Sequence, residues 1–204
     1  MSTDMTSVAP TSPDLKVAKK QVKVWDPVVR MIHWTVVVGV FANLTILRES
    51  SDTHQIVGYV VLGAVACRIV WGLVAPGHAR FSSFAPTPKK VLGYFAAMRA
   101  RREPRYLGHN PAGSLMMFGL IFLILLISAT GWMMSLDQFW GVKWVEEVHE
   151  MAANVIIGAI AVHVLAAVYV SVKHHENLPL SMITGRKRPA AEGDVDNAPA
   201  AGRR

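Results

Sequence analysis

Two histidines in the last long apolar segment of the chain, His149 and His163, have a spacing that suits metal ligands on one helix face. At about 100° per residue, their separation of fourteen positions falls about 40° short of four full turns. Both imidazoles therefore point off nearly the same side, about 21 Å apart at about 1.5 Å per residue. Imidazole nitrogens bind transition metals. The pair predicts two ligand positions along one helix; the alternative is one functional histidine and one that only packs.

The composition indicates a membrane protein that would position these side chains within helices. Of 204 residues, 52% are hydrophobic and 17% charged, and the mean hydropathy is positive; a soluble domain carries about 25% charged residues. Four segments have the roughly 20 residues that a spanning helix needs. They are Val28–Leu47, His54–Val74, Pro111–Met134 and Val148–Val172. Because lipid offers backbone groups no partners, we expect an all-α, integral membrane four-helix bundle.

Lysine and arginine placement predicts the orientation. Basic residues gather before the first segment, between the second and third, and after the fourth. They are Lys16, Lys19, Lys20 and Lys23; Arg80, Lys89, Lys90, Arg99, Arg101, Arg102 and Arg105; and Lys173, Arg186, Lys187, Arg188, Arg203 and Arg204. The two remaining connections hold only Arg48 and Lys143. Both termini are therefore expected in the cytoplasm, and this topology explains the net charge of +7 without a nucleic-acid partner.

The polar ends of the chain bound one predicted domain. Residues 1–23 and 187–204 lack an apolar face to bury and are predicted to be disordered tails around a transmembrane domain of residues 24–186. No cleavable signal peptide is expected. Apolar and basic residues alternate over about 88–101, which predicts a helix lying in the inner membrane interface. Cys67 has no partner cysteine and is expected to pack as a small apolar residue.

Four of the eight histidines fall into two layers of the predicted bundle. His54 and His149 begin their helices at the outer side, whereas His33 and His163 lie toward the inner side. Ionisable residues inside a membrane are functional candidates by default. Each layer therefore offers two imidazoles from different helices, which matches the two axial ligands of a haem b. With both axial positions filled, such a centre passes electrons and binds no substrate at the iron.

Other residues leave alternatives open. Zinc competes with haem, but two histidines fall short of its usual three or four ligands. His109 could replace His33 as an inner ligand. Arg30 and Arg68 lie near the inner layer and could pair bidentately with haem propionates, or they could reach lipid phosphates instead.

The chain resembles the bacterial di-haem cytochrome b family. That family includes the cytochrome b subunit of nickel–iron hydrogenases, the gamma subunit of formate dehydrogenase and small stand-alone inner-membrane cytochromes b. The resemblance covers roughly Val24 to Arg188. It rests on Val24-Trp25-Asp26-Pro27 with Arg30, His33 and Trp34; His54 with Gly58; Gly108-His109-Asn110-Pro111-Ala112-Gly113; and the pair His149 and His163.

The resemblance implies two haem b groups, one near each leaflet of a bacterial inner membrane. Carried over, His33 and His163 would hold the inner iron, and His54 and His149 the outer one. In formate dehydrogenase-like members a quinone binds beside the inner haem, and Asn110 stands with Gly113 at the matching place. The implied partners are membrane lipid, quinone and a c-type cytochrome, dehydrogenase or hydrogenase; a homodimer stays open.

Three functions are compatible with these features. The first is an electron carrier of the respiratory chain between the quinone pool and a partner redox protein. The second is a stand-alone membrane oxidoreductase that oxidises superoxide at the outer face and reduces quinone, since the short first connection gives a docked partner little to hold. The third, which we rank last, is a haem-free anchor or transporter; no inverted repeat or broken helix pair supports it.

Overall fold

The computed structural model describes residues 21–47 and 51–198. Four of its helices are long and apolar enough to cross a membrane, as the sequence predicts. They are α1 (Pro27–Thr45), α2 (Asp52–Val74), α5 (Pro111–Met134) and α6 (Lys143–Lys173). Shorter helices lie between and after them: α3 (Phe81–Phe84), α4 (Pro88–Arg99) and α7 (Leu178–Thr184). Two 3-10 turns are at Gly77–Ala79 and Asp137–Phe139.

Local capping chemistry explains where three of the spanning helices begin. The side chains of Asp26, Ser51 and Asn110 accept hydrogen bonds from the first-turn amides of α1, α2 and α5. Such caps satisfy donors that the helix itself leaves without partners. Helix α6 begins at Lys143 and not at the predicted Val148. The prediction followed the apolar run of the sequence, and the first turn of α6 is polar, so the run begins later than the helix.

The spanning helices pack in the order α1–α2–α5–α6. Their shared core is formed by Val61, Val65, Ile124 and Ile156. Most other large apolar side chains of these helices face outward, for example Phe41, which is 61% exposed. In a soluble protein this much exposed apolar surface would be costly, whereas lipid solvates it.

The chain from residue 187 onward, predicted to be a disordered tail, makes defined contacts in the part that the structure describes. Strand β1 (Val22–Lys23) pairs antiparallel with β2 (Arg186–Lys187). Beyond it, the Val195 amide donates to the Arg105 carbonyl at 2.8 Å. Buried ionic and backbone contacts hold residues 187–198, although the segment has no apolar face. Residues 1–20 and 199–204 lie outside the described residues.

Candidate functional site

The two histidines predicted for the outer layer, His54 and His149, come together between α2 and α6. The ring centres of His54 and His149 are 6.5 Å apart, with an angle of 59° between the ring planes. A metal–imidazole bond is about 2.0–2.1 Å long, so imidazoles on opposite sides of one metal hold their ring centres about 6 Å apart. The observed separation is close to this value, so the two imidazoles could hold one metal between them.

Neighbouring groups on α5 hold the His149 ring. Its Nδ1 lies 3.1 Å from the hydroxyl oxygen of Thr130 and 3.1 Å from the carbonyl oxygen of Ile127. A carbonyl can only accept, so this contact favours the tautomer that carries its proton on Nδ1. That tautomer leaves Nε2 as the nitrogen with a lone pair for a metal. Metal-bound histidines commonly donate their other ring N–H to a carbonyl in this way.

A cavity between all four spanning helices lies beside this pair. His54, Gly58, His149 and Asn43 are among the residues that line it. The Asn43 amide donates to the His54 carbonyl at 3.2 Å, and its Oδ1 is buried without a hydrogen-bond partner. The cavity holds about 70 Å³, well below the roughly 300–1,000 Å³ of ordinary ligand sites. The spacing of the His54 and His149 rings, and not the volume of the cavity, is therefore the feature that fits a cofactor here.

The inner histidines are placed differently. His33 is half-buried and its Nδ1 has no hydrogen-bond partner. His163 lies on the same face of α6 as His149 and Ile156, yet it is exposed, and no residue of α6 beyond Ile156 is buried. The two imidazoles interact electrostatically. Among the ring contacts of the described residues, however, His33 touches Trp34 and not His163. The inner half of the bundle is thus open opposite His163.

The two predicted propionate partners each have one buried guanidinium nitrogen without a hydrogen bond. Arg30 donates to the Ile183 carbonyl, and its Nε is buried without a partner. Arg68 donates to the Ala79 carbonyl at 3.3 Å and lies over the Phe81 ring at 4.6 Å, while its Nη1 has no partner. Both guanidinium groups could therefore still donate hydrogen bonds to a carboxylate.

The residues predicted for quinone have a clear structural role. The Asn110 side chain accepts a hydrogen bond of 2.6 Å from the Gly113 amide and so caps α5. A Cβ on Gly113 would meet the Asn110 Oδ1 at 3.2 Å, which is tight. Capping accounts for both residue types and leaves the Asn110 amide group available for other contacts.

His109 lies just before α5 in an aromatic enclosure. Its ring is 4.4 Å from that of Phe84 and 4.8 Å from that of Trp25, centre to centre. Burial, assisted by the nearby Arg68 cation, lowers the pKa of His109 to about 3. The imidazole is therefore neutral at physiological pH. It also interacts electrostatically with His163, so it stays an alternative inner ligand.

The donor atoms present suit haem better than a caged metal ion. Within the described residues, no three histidine, cysteine, aspartate or glutamate side chains converge to hold an ion. Zinc sites need three or four such ligands. The His33 and His54 rings instead each keep a buried nitrogen without a hydrogen-bond partner, a costly arrangement that a bound group would relieve. Paired imidazoles with few other donors fit a macrocycle that supplies four ligands itself.

Comparison with known proteins decides the family. The sequence matches the model of the prokaryotic cytochrome b561 family over residues 24–185. The chain belongs to this family. It is thus a membrane b-type cytochrome of electron transfer, a group that typically binds haem b. No curated protein and no solved structure matches the chain.

In this cytochrome b561 family member, sequence reasoning missed two residues of the outer site, Asn43 and Thr130. Asn43 is polar within an apolar helix, and that was a usable signal. Thr130 offered no such signal in the sequence, because a threonine in a spanning helix commonly donates a hydrogen bond to a carbonyl of its own helix. Its hydroxyl is indeed 2.9 Å from the Leu126 carbonyl as well.

Proposed function

We propose that this chain is a di-haem b-type cytochrome that carries electrons across the bacterial inner membrane, between the quinone pool and a partner redox protein of the respiratory chain. The observation that carries the proposal is the separation of 6.5 Å between the His54 and His149 ring centres inside a four-helix bundle. A haem held by two histidines would offer a substrate no vacancy at its iron, which suits electron transfer.

The proposed roles follow from the placement of each side chain. His54 and His149 would hold the outer haem b, and His33 and His163 the inner one. When bound, haem b supplies an iron that takes up and releases single electrons. Thr130 and the carbonyl oxygen of Ile127 keep the His149 ring oriented. The continuous helix α6 carries one ligand of each pair, about 21 Å apart.

A quinone would exchange electrons at the inner side. Asn110 and Gly113 are the proposed contacts, since the family resemblance points to them and the Asn110 amide remains available. Arg30 and Arg68 would pair with propionates through the guanidinium nitrogens that now lack partners. The basic residues favour cytoplasmic termini and hence a cytoplasmic inner side.

A haem count tests the proposal directly. Protein purified in detergent is assayed for haem b per chain, and a reduced-minus-oxidised visible spectrum is recorded. We expect two haem b per chain and a b-type spectrum. A chain that folds and carries no haem would refute the proposal, and one haem per chain would refute its di-haem part.

The short outer connections favour a second candidate, a self-contained superoxide:quinone oxidoreductase. The connection from α5 to α6 spans only residues 135–142, so a docked protein would find little surface. In this reaction two superoxide ions would lose one electron each to give two O₂, and one quinone would take two electrons and two protons. Purified protein that reduces quinone with superoxide alone would be an enzyme; protein that needs a redox partner would be a carrier.

A further inference from the structure

A second, larger cavity lies at the inner end of the molecule. It opens where α6 ends, beneath α7 and beside strand β2, and holds about 550 Å³. That volume lies within the roughly 300–1,000 Å³ of small-ligand sites. It is separate from the histidine pairs, so nothing in the proposed electron transfer uses it.

The lining of this cavity is cationic. Arg186, Lys187 and Arg188 stand against a single carboxylate, that of Glu176. Both oxygens of this carboxylate are engaged already: Oε1 accepts from Arg105, and Oε2 lies 3.7 Å from the Lys187 Nζ. The Glu176 carboxylate therefore pairs with neither Arg186 nor Arg188, although Asp194, outside the lining, attracts Arg188.

The basic side chains that line the cavity are able to bind an anion. Arg186 and Arg188 are exposed and have no ion pair within the described residues. Burial lowers the pKa of Lys187, whose ammonium also lies 5.4 Å from the centre of the Trp25 ring. A phosphate beside these groups would offset the burial of the Lys187 charge. Guanidinium groups suit phosphate because they can donate two parallel hydrogen bonds.

An apolar ridge borders the same cavity. Leu180 lines the cavity and is 49% exposed, and Ile183, one turn further along α7, is 58% exposed. Helix α7 follows a spanning helix after a few residues, so it lies close to the level of the lipid headgroups. A charged cavity beside an exposed apolar ridge matches an amphiphile, whereas a soluble anion would not need the ridge.

We propose that this cavity binds the headgroup of an anionic phospholipid. The phosphate would lie between Arg186 and Arg188, and an acyl chain would run along Leu180 and Ile183. Basic pockets of this kind at the ends of spanning helices are how membrane proteins select anionic lipids.

The test measures lipid selectivity of the full chain in detergent. Retention of phosphatidylglycerol and of phosphatidylcholine is compared by native mass spectrometry. We expect phosphatidylglycerol to be preferred, and Arg186→Gln/Arg188→Gln to reduce that preference about tenfold or more. The matched control is Arg99→Gln/Arg102→Gln, which removes the same charge outside the cavity and should change the preference less than about threefold.

A second variant fills the cavity without changing charge. Ala190→Trp places a large side chain at the cavity wall and should also abolish the preference. Circular dichroism confirms that each variant is folded. Equal affinity for both lipids, equal loss in the charge control, or unchanged binding in both cavity variants would each overturn the proposal.

Inorganic phosphate distinguishes the two sources of the anion. If inorganic phosphate binds as tightly as phosphatidylglycerol does, the site belongs to a soluble phosphate and the lipid assignment is wrong. If it does not, the ridge contributes to binding, as proposed. None of these readouts depends on haem, so failure here and failure of the proposed electron transfer are separate results.

Discussion

The Thr130 hydroxyl of α5 lies 3.1 Å from the Nδ1 of His149 on α6. Thr130 is 3% exposed, so water does not substitute for this contact. The same nitrogen faces the Ile127 carbonyl, and the two oxygens together fix the rotation of the ring. A ring held this way directs its other nitrogen toward the proposed outer iron. The orientation of the His149 ring thus depends on a neighbouring helix.

Replacing this hydroxyl should weaken the outer site selectively. Thr130→Val keeps the shape and removes one of the two oxygens at Nδ1. Loss of such an outer-shell partner typically costs about 10- to 100-fold in metal affinity or activity. Because the Ile127 carbonyl remains, we expect the low end, about tenfold weaker binding of the outer haem. Haem titration of the apoprotein measures it.

A matched control is available in the same helix bundle. Thr45 also bonds back to its own helix, with its hydroxyl 2.7 Å from the Phe41 carbonyl, but it contacts no histidine in the described structure. Thr45→Val should leave both haem affinities unchanged. If the two threonine variants behave alike, the contact to His149 does not orient a ligand.

Substitutions in the two histidine pairs should remove the two haems independently of each other. His54→Ala is expected to empty the outer site and so to lower the haem content from about two to about one per chain. His163→Ala should empty the inner site instead. The reason is the same for both, because each haem would be held by both histidines of its pair. Absorption spectra and haem counts of the purified variants measure this. His175→Ala, outside both pairs, should keep both haems. Full haem content in His54→Ala or His163→Ala would refute the assignment.

Much of the architecture could be predicted from residue types alone. A run of about 20 apolar residues must form a helix in lipid, so the sequence located α5 with both of its ends. The distance between His149 and His163 followed from helical rise because α6 has no break. Pairing His54 with His149 required only depth, since each lies at the outer end of its helix.

Contacts between distant charged residues could not be predicted in the same way. The segment after β2 looks like a polar tail, and no periodicity links Asp194 to Arg105. The contact exists because the folded chain buries the Arg105 guanidinium, which then needs anions around it. The open inner half opposite His163 was also unpredictable, because apolar residues look alike whether they face lipid or a partner.

Close packing between α1 and α2 predicts a stability effect at Gly39. A Cβ there would clash with the Cγ2 of Val61, a stiff β-branched side chain of the core. Overpacking of this kind typically costs about 1–3 kcal/mol. We expect Gly39→Ala to lower the thermal midpoint in detergent, whereas Gly119→Ala, with nothing within 4 Å, should not lower it. Equal midpoints would contradict the close approach.

Arg105 links three parts of the inner side. Its guanidinium donates to Glu176 after α6 and to Asp194 in the C-terminal segment. Burial alone would raise the pKa of Asp194, but the Ala191 amide at 2.8 Å and the Arg105 cation together hold that pKa below its ordinary value. A carboxyl with a lowered pKa stabilises the fold above its unfolded pKa of about 3.9. That stabilisation is lost as the pH falls through the lower, folded value.

The C-terminal segment should therefore detach only in acid. We expect amide-exchange protection factors of residues 190–197 to be constant from about pH 5 to 8 and to fall below about pH 4, as Asp194 takes up a proton. Hydrogen exchange read by mass spectrometry measures them. Asp194→Asn should reduce protection already at pH 7, because the neutral amide cannot offset the buried Arg105, and it should remove the acid step. Release near pH 6 in the unmodified chain would contradict control by Asp194.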